Sequence, residues 1–108
     1  MAALKDELIV RLEKIPGISH VPYPERQDGF SALNHRGKEI GHFHNFNELD
    51  LRLGKRLIKR EGLMHYPDSK NHPKRGPNSQ FVEIRFHRRQ DLDKLVRLVE
   101  LLVEEGSK

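Results

Sequence analysis

The chain has 108 residues, close to the commonest size for one domain, so a single domain over residues 1–108 is expected and two are excluded. Charged residues make up 33% and the hydrophobic set 35%, so apolar positions must gather on faces if a core is to form; the absence of cysteine excludes disulfides, thiolate metal sites and thiol nucleophiles and fits a reducing, cytoplasmic setting. The net charge of +4 would favour anionic ligands or nucleic acid only if it were concentrated on one surface.

Met1 to Lys14 alternates charged and apolar residues, which is neither the apolar run of a signal peptide nor a membrane span, so no membrane attachment is expected. Leu4, Leu8, Ile9, Leu12 and Ile15 recur at helical spacing until Pro16 and Gly17, which predicts an amphipathic helix from about residue 3 to 14. Ile18 to Tyr23 reads as an edge strand, because Pro22 and Pro24 carry no amide donor. Arg26 to Gly29 is a turn. Strands follow at Phe30 to Asn34 and Lys38 to His44, joined by a tight turn at His35, Arg36 and Gly37. After a turn at Asn45 to Asn47, Leu49, Leu51 and Leu53 alternate with Glu48, Asp50 and Arg52, the pattern of a strand buried on one face.

Lys55 to Glu61 is a short helix ending at Gly62, with Leu57 and Ile58 inward and its basic residues outward. Met64 to Ser79 holds three prolines and a glycine and reads as a long loop of the kind that often carries function. Phe81 to His87 is a strand with Val82, Ile84 and Phe86 on one side, expected to sit centrally in the sheet. Asp91 is a candidate cap for a final helix whose stripe is Leu92, Leu95, Val96, Val99, Leu102 and Val103. The sum is an α+β fold: an antiparallel sheet of about four to five strands, with N- and C-terminal helices packed on one face and one short helix between strands.

Period two puts His42 and His44 on one face of their strand with Lys38 and Ile40, and Glu39, Gly41 and Phe43 on the other. If the registers agree, Asp50, Arg52, Glu83 and Arg85 share the histidine face. A polar strand face ordinarily meets water and pairs its charges across strands, which accounts for those four residues taken singly. Two imidazoles beside carboxylates are a different matter: they form a candidate acid/base or ligand pair. His42, Phe43 and His44 followed by Glu48 also have the spacing that opens a cupin metal motif, but the second motif is missing and only His65 or His72 in the long loop could complete it. The ligand count therefore predicts no metal. Gly41 inside a strand leaves room for a bulge, or for packing against a large neighbour. Lys55, Arg56, Lys59, Arg60, His87, Arg88 and Arg89 cluster, yet acidic residues interleave and aromatic residues are few, so solvated faces are expected and a nucleic-acid partner is not.

The run from Gly37 to His44 (Gly-Lys-Glu-Ile-Gly-His-Phe-His), with Asp50 and Leu51 after it, resembles the core motif of the fungal luciferases and their bacterial relatives: a basic residue, glutamate, isoleucine, a small residue, histidine, any residue, histidine. The likeness continues through the basic short helix, His72-Pro73 in the loop, the aromatic Phe81 opening the next strand where the family usually has tryptophan, and the closing helix, covering about residues 36 to 103. The membrane-anchoring N-terminus of the fungal enzymes has no counterpart in these residues. The resemblance implies a luciferase-like small-molecule-binding domain, in fungal members oxidising a hydroxylated pyrone with dioxygen, without metal or organic cofactor. It implies His42 or His44 as base, His72 as a pocket partner and Arg52 or Arg85 as counter-charge to the substrate anion, with Asp50, Glu83 and Phe81 completing the substrate site. A non-catalytic ligand- or protein-binding module and a basic nucleic-acid-binding domain are the alternatives, and either a monomer or a homodimer fits.

Overall fold

The computed structural model describes residues 3–63 and 79–106. In chain order the elements are α1 (Ala3–Glu13), β1 (Ile18–Pro22), β2 (Ser31–His35), β3 (Lys38–Phe43), β4 (Glu48–Leu51), α2 (Lys55–Arg60), β5 (Val82–Arg85) and α3 (Arg89–Gly106). The five strands form one antiparallel meander in the order β1-β2-β3-β4-β5, with helices at both ends of the chain, so the architecture is the expected α+β arrangement. No helix among the described residues is long and apolar enough to cross a membrane.

The leucine alternation of β4 buries Leu49 and Leu51 against Phe43, Ile84 and Phe86, and the stripes of α1 (Leu8, Leu12) and α3 (Leu92, Leu95, Leu98, Val99) close the same core. Each of these side chains contributes about 1.5–3 kcal/mol by leaving water. Phe43 and Phe86 meet edge to face at 6.2 Å in its centre. Leu57 and Ile58 of α2 enter this core while Lys55, Arg56, Lys59 and Arg60 stay exposed, as their spacing requires. Both helices therefore cover one face of the sheet.

Three features depart from the sequence expectation. β5 is an edge strand, not a central one; its apolar side faces the core either way, and alternation carries no information about position in the sheet. Asp91 lies inside α3 rather than before it, and its carboxylate reaches back to accept the amides of His87 at 2.9 Å and Arg88 at 3.0 Å, which holds its acidity stronger than usual. The third is a β-bulge. Leu33 pairs with Gly41 and Asn34 with Glu39, leaving Ile40 as an extra residue in β3. Ile40 joins the core instead of the histidine face, and Glu39 takes its place beside His42.

A tight turn and a close strand approach flank the bulge. Arg36 and Gly37 both have positive φ (51° and 82°), the pairing that matches a two-residue turn to the twist of its strands. Gly41 sits where a Cβ would come within 2.5 Å of the Asp50 carbonyl oxygen, so only glycine lets β4 lie this close to the bulge.

Candidate functional site

The sheet face away from α1 and α3 gathers His42, His44, Asp50 and Glu83. His42 and Asp50 are register partners across β3 and β4, and Asp50 and Glu83 are partners across β4 and β5, so three strands bring their polar side chains to one level. His44 follows the end of β3, and its amide still bonds the Glu48 carbonyl at 3.1 Å, which carries the strand direction through it. The two imidazoles are side by side, with ring centres 4.7 Å apart and planes at 86°.

Asp50 Oδ2 lies 3.6 Å from His42 Nε2 and 3.5 Å from His44 Nε2; Glu83 Oε1 lies 3.6 Å from His44 Nε2. These spacings exceed the usual hydrogen-bond range. The second nitrogen of His42, Nδ1, faces Glu39 Oε2 at 3.5 Å. The carboxylates are deeply placed, with side-chain exposures of 1% for Asp50 and 3% for Glu83 against 19% for His42 and 9% for His44. His42 is the open member. Phe30 lies against its ring at 5.4 Å, tilted by 31°, and Phe81 at 6.4 Å, giving the imidazole two aromatic neighbours.

Of the residues singled out in the sequence, His42, His44, Asp50 and Glu83 come together and Phe81 borders them. Arg85 instead faces Glu48 across the sheet at 3.6 Å. Arg52 is exposed and lines a separate cleft of about 440 Å³ with His35, Lys38, Gln80 and Glu105, and Glu39 is the residue this cleft shares with the histidine group. His72 and its alternative His65 lie outside the described residues. The carboxylate that joins the histidines is Asp50 rather than the Glu48 of the cupin-like spacing, because Glu48 accepts from Asn45 at 2.5 Å and pairs with Arg85.

Sequence reasoning missed Glu39 and Phe30. The glycine inside the strand was the signal for Glu39, since a bulge there reverses which residues share the histidine face. It also missed a polar group on the helix-covered side. Lys5 is buried, donates from Nζ to the Gly29 carbonyl at 2.5 Å and lies over the rings of Phe43 and Phe46 at 4.9 and 5.4 Å. Burial lowers its pKa. Nearby, His20 Nε2 and Ser31 Oγ are 2.7 Å apart at the edge of a cleft of about 260 Å³, and burial, then the charge of Lys5, lowers the imidazole pKa.

No curated protein and no solved structure matches the chain. Residues 37–101, more than half of its length, match the family described as the luciferase domain, and that span begins at the hairpin glycine and contains both histidines, Asp50 and Glu83. The chain belongs to the luciferase domain family.

Proposed function

We propose that the chain binds a small, electron-rich hydroxy compound, a hydroxypyrone or a phenol, against the His42 and His44 face and commits it to reaction with dioxygen. The observation that carries this reading is the gathering of two imidazoles and two carboxylates on one sheet face, with Phe30 and Phe81 beside the His42 ring. A flat ring stacks on such aromatic neighbours, and its hydroxyl reaches the imidazoles. The hydroxyl proton passes to an imidazole nitrogen, which leaves an anion rich enough in electrons to reduce oxygen. A ring carbon of that anion then bonds to O₂, two electrons pass from the ring to oxygen, and the proton returns to the distal oxygen to give a hydroperoxide. Substrate and O₂ balance this product, so the step needs no external reductant.

The protein is read as acting in the cytoplasm on a small molecule, in keeping with its cysteine-free sequence. The nucleic-acid alternative has less support, because Arg60 lies 3.5 Å from Glu105, Arg97 bonds Glu61 at 2.6 Å and Arg89 bonds Glu7 at 3.1 Å, which intersperses acid among the bases. An oxygen electrode and a luminometer test the oxygenase: air-saturated hydroxypyrone with purified protein should consume oxygen above the protein-free rate, and His42→Ala and His44→Ala should abolish the excess. Saturable binding of the pyrone with no oxygen uptake would refute catalysis and leave a binding module.

A further inference from the structure

We propose that His42, His44 and Asp50 form a binding site for a divalent first-row transition ion, with Glu83 within reach as a fourth ligand and Glu39 as the outer partner that orients His42. The site rests on geometry and stands whether or not the chain oxidises a hydroxypyrone.

One ligand atom from each of His42, His44 and Asp50 lies within 4.8 Å of the others. Ligands bonded to one ion at about 2.0–2.2 Å must lie about 3.0–3.6 Å from one another, depending on whether the geometry is octahedral or tetrahedral. The two nitrogen-to-oxygen edges, 3.6 and 3.5 Å, fall in that range, and the third, no longer than 4.8 Å, closes on a shift of up to about 1.2 Å in the His42 ring, the most exposed of the three. The Glu83 oxygen, 3.6 Å from His44 Nε2, extends the same pattern.

The chemistry of the set agrees with the spacing. Two imidazole nitrogens and one carboxylate oxygen, with positions left for solvent or substrate, suit zinc or iron(II) better than calcium or magnesium, which take all-oxygen shells. Ligating imidazoles characteristically direct their second nitrogen at a carboxylate, and His42 directs Nδ1 at Glu39 Oε2, 3.5 Å away. The bulge is what supplies that carboxylate, since regular pleating would have put Ile40 there. Asp50 and Glu83 are register partners with almost no solvent exposure, so both carboxyl groups are held at the level of the imidazoles.

The test is titration of untagged, chelator-treated protein with cobalt(II), followed by visible absorption, and with zinc(II), followed by calorimetry and elemental analysis. One ion per chain is expected, with ligand-field absorption of cobalt bound to nitrogen and oxygen. His42→Ala and Asp50→Asn should weaken uptake at least 100-fold, and Glu39→Gln about 10-fold, as outer partners do. Circular dichroism establishes that each variant is folded; if Asp50→Asn does not fold, the partly exposed His42→Ala and exposed Glu39→Gln decide. Absence of stoichiometric uptake by folded parent protein, or uptake equally tight in folded His42→Ala, overturns the site. Neither outcome bears on oxygen consumption, so failure here and failure of the oxygenase reading are separately visible.

Discussion

Replacing Gly41 by alanine probes the contact on which both the sheet and the histidine group depend. The new Cβ would stand 2.5 Å from the Asp50 carbonyl oxygen and 3.0 Å from a Leu51 methyl. The first distance is about 1 Å inside ordinary contact, and the obstacle is backbone, so β3 and β4 must separate rather than a side chain rotate. Overpacking of this kind costs about 3 kcal/mol, offset by up to about 1 kcal/mol because alanine restricts the unfolded chain. The net, about 2 kcal/mol, lowers the folding equilibrium constant about 30-fold. Gly37→Ala is the control: its positive φ makes alanine strained, but no atom lies within 4 Å, so the cost is about 1 kcal/mol and local to the turn. Urea denaturation followed by circular dichroism gives both stabilities, and imidazole resonances report the site. Gly41→Ala should shift the His42 and His44 ring signals and Gly37→Ala should not. A Gly41→Ala protein with the parent urea midpoint and parent imidazole signals would refute the account of the close approach between β3 and β4.

Leu95→Ala opens a cavity beneath α3, where Leu95 is fully buried, and should destabilise by about 2–5 kcal/mol in the same denaturation assay. His20 titrates below its unfolded value because burial, and then Lys5, oppose its positive charge, while Glu13 and Asp6 favour it. The unfolded chain thus binds more protons between the folded and unfolded pKa, so stability falls as pH drops through about 6.5, and His20→Gln should flatten that part of a stability-pH curve. An unchanged slope would place the acid sensitivity elsewhere. Phe81→Trp installs the only tryptophan in the chain, 6.4 Å from the His42 ring in the parent, and its fluorescence should be quenched on addition of cobalt(II) or a hydroxypyrone; an emission indifferent to both would separate Phe81 from the site.

Much of the fold was legible because its elements are amphipathic with clean periods. Leu49 and Leu51 against Glu48 and Asp50 announce a strand with one apolar and one polar face, although the polar face proves not to be wet, since Asp50 is as buried as the leucines, and Leu57 and Ile58 between basic pairs announce the inward edge of α2. Order within the sheet was not legible: Val82 and Ile84 pack on the core equally from an edge or from the centre. The buried Lys5 was hidden by its charge, although Lys5, Leu8 and Leu12 fall on one stripe and a long aliphatic stem can run beneath a helix to a carbonyl such as that of Gly29.

The site was legible in composition but not in membership, and one residue explains the difference. Alternation without interruption would give the histidine face the series Lys38, Ile40, His42 and His44, with an aliphatic group beside the first imidazole. The extra residue at Ile40 moves that side chain into the core and brings Glu39 to within 3.5 Å of His42. The same face receives Asp50 and Glu83 from β4 and β5, where alternation runs unbroken. Acid, imidazole and imidazole on one strand thus meet two carboxylates on the next two. The glycine that permits the close approach of β4 follows the extra residue directly and pairs with Leu33 on β2. The polarity of the site is therefore set by backbone geometry at residues 40 and 41 as much as by the histidines, and a related chain that keeps both histidines but lacks the bulge should have an aliphatic, not an acidic, neighbour at His42.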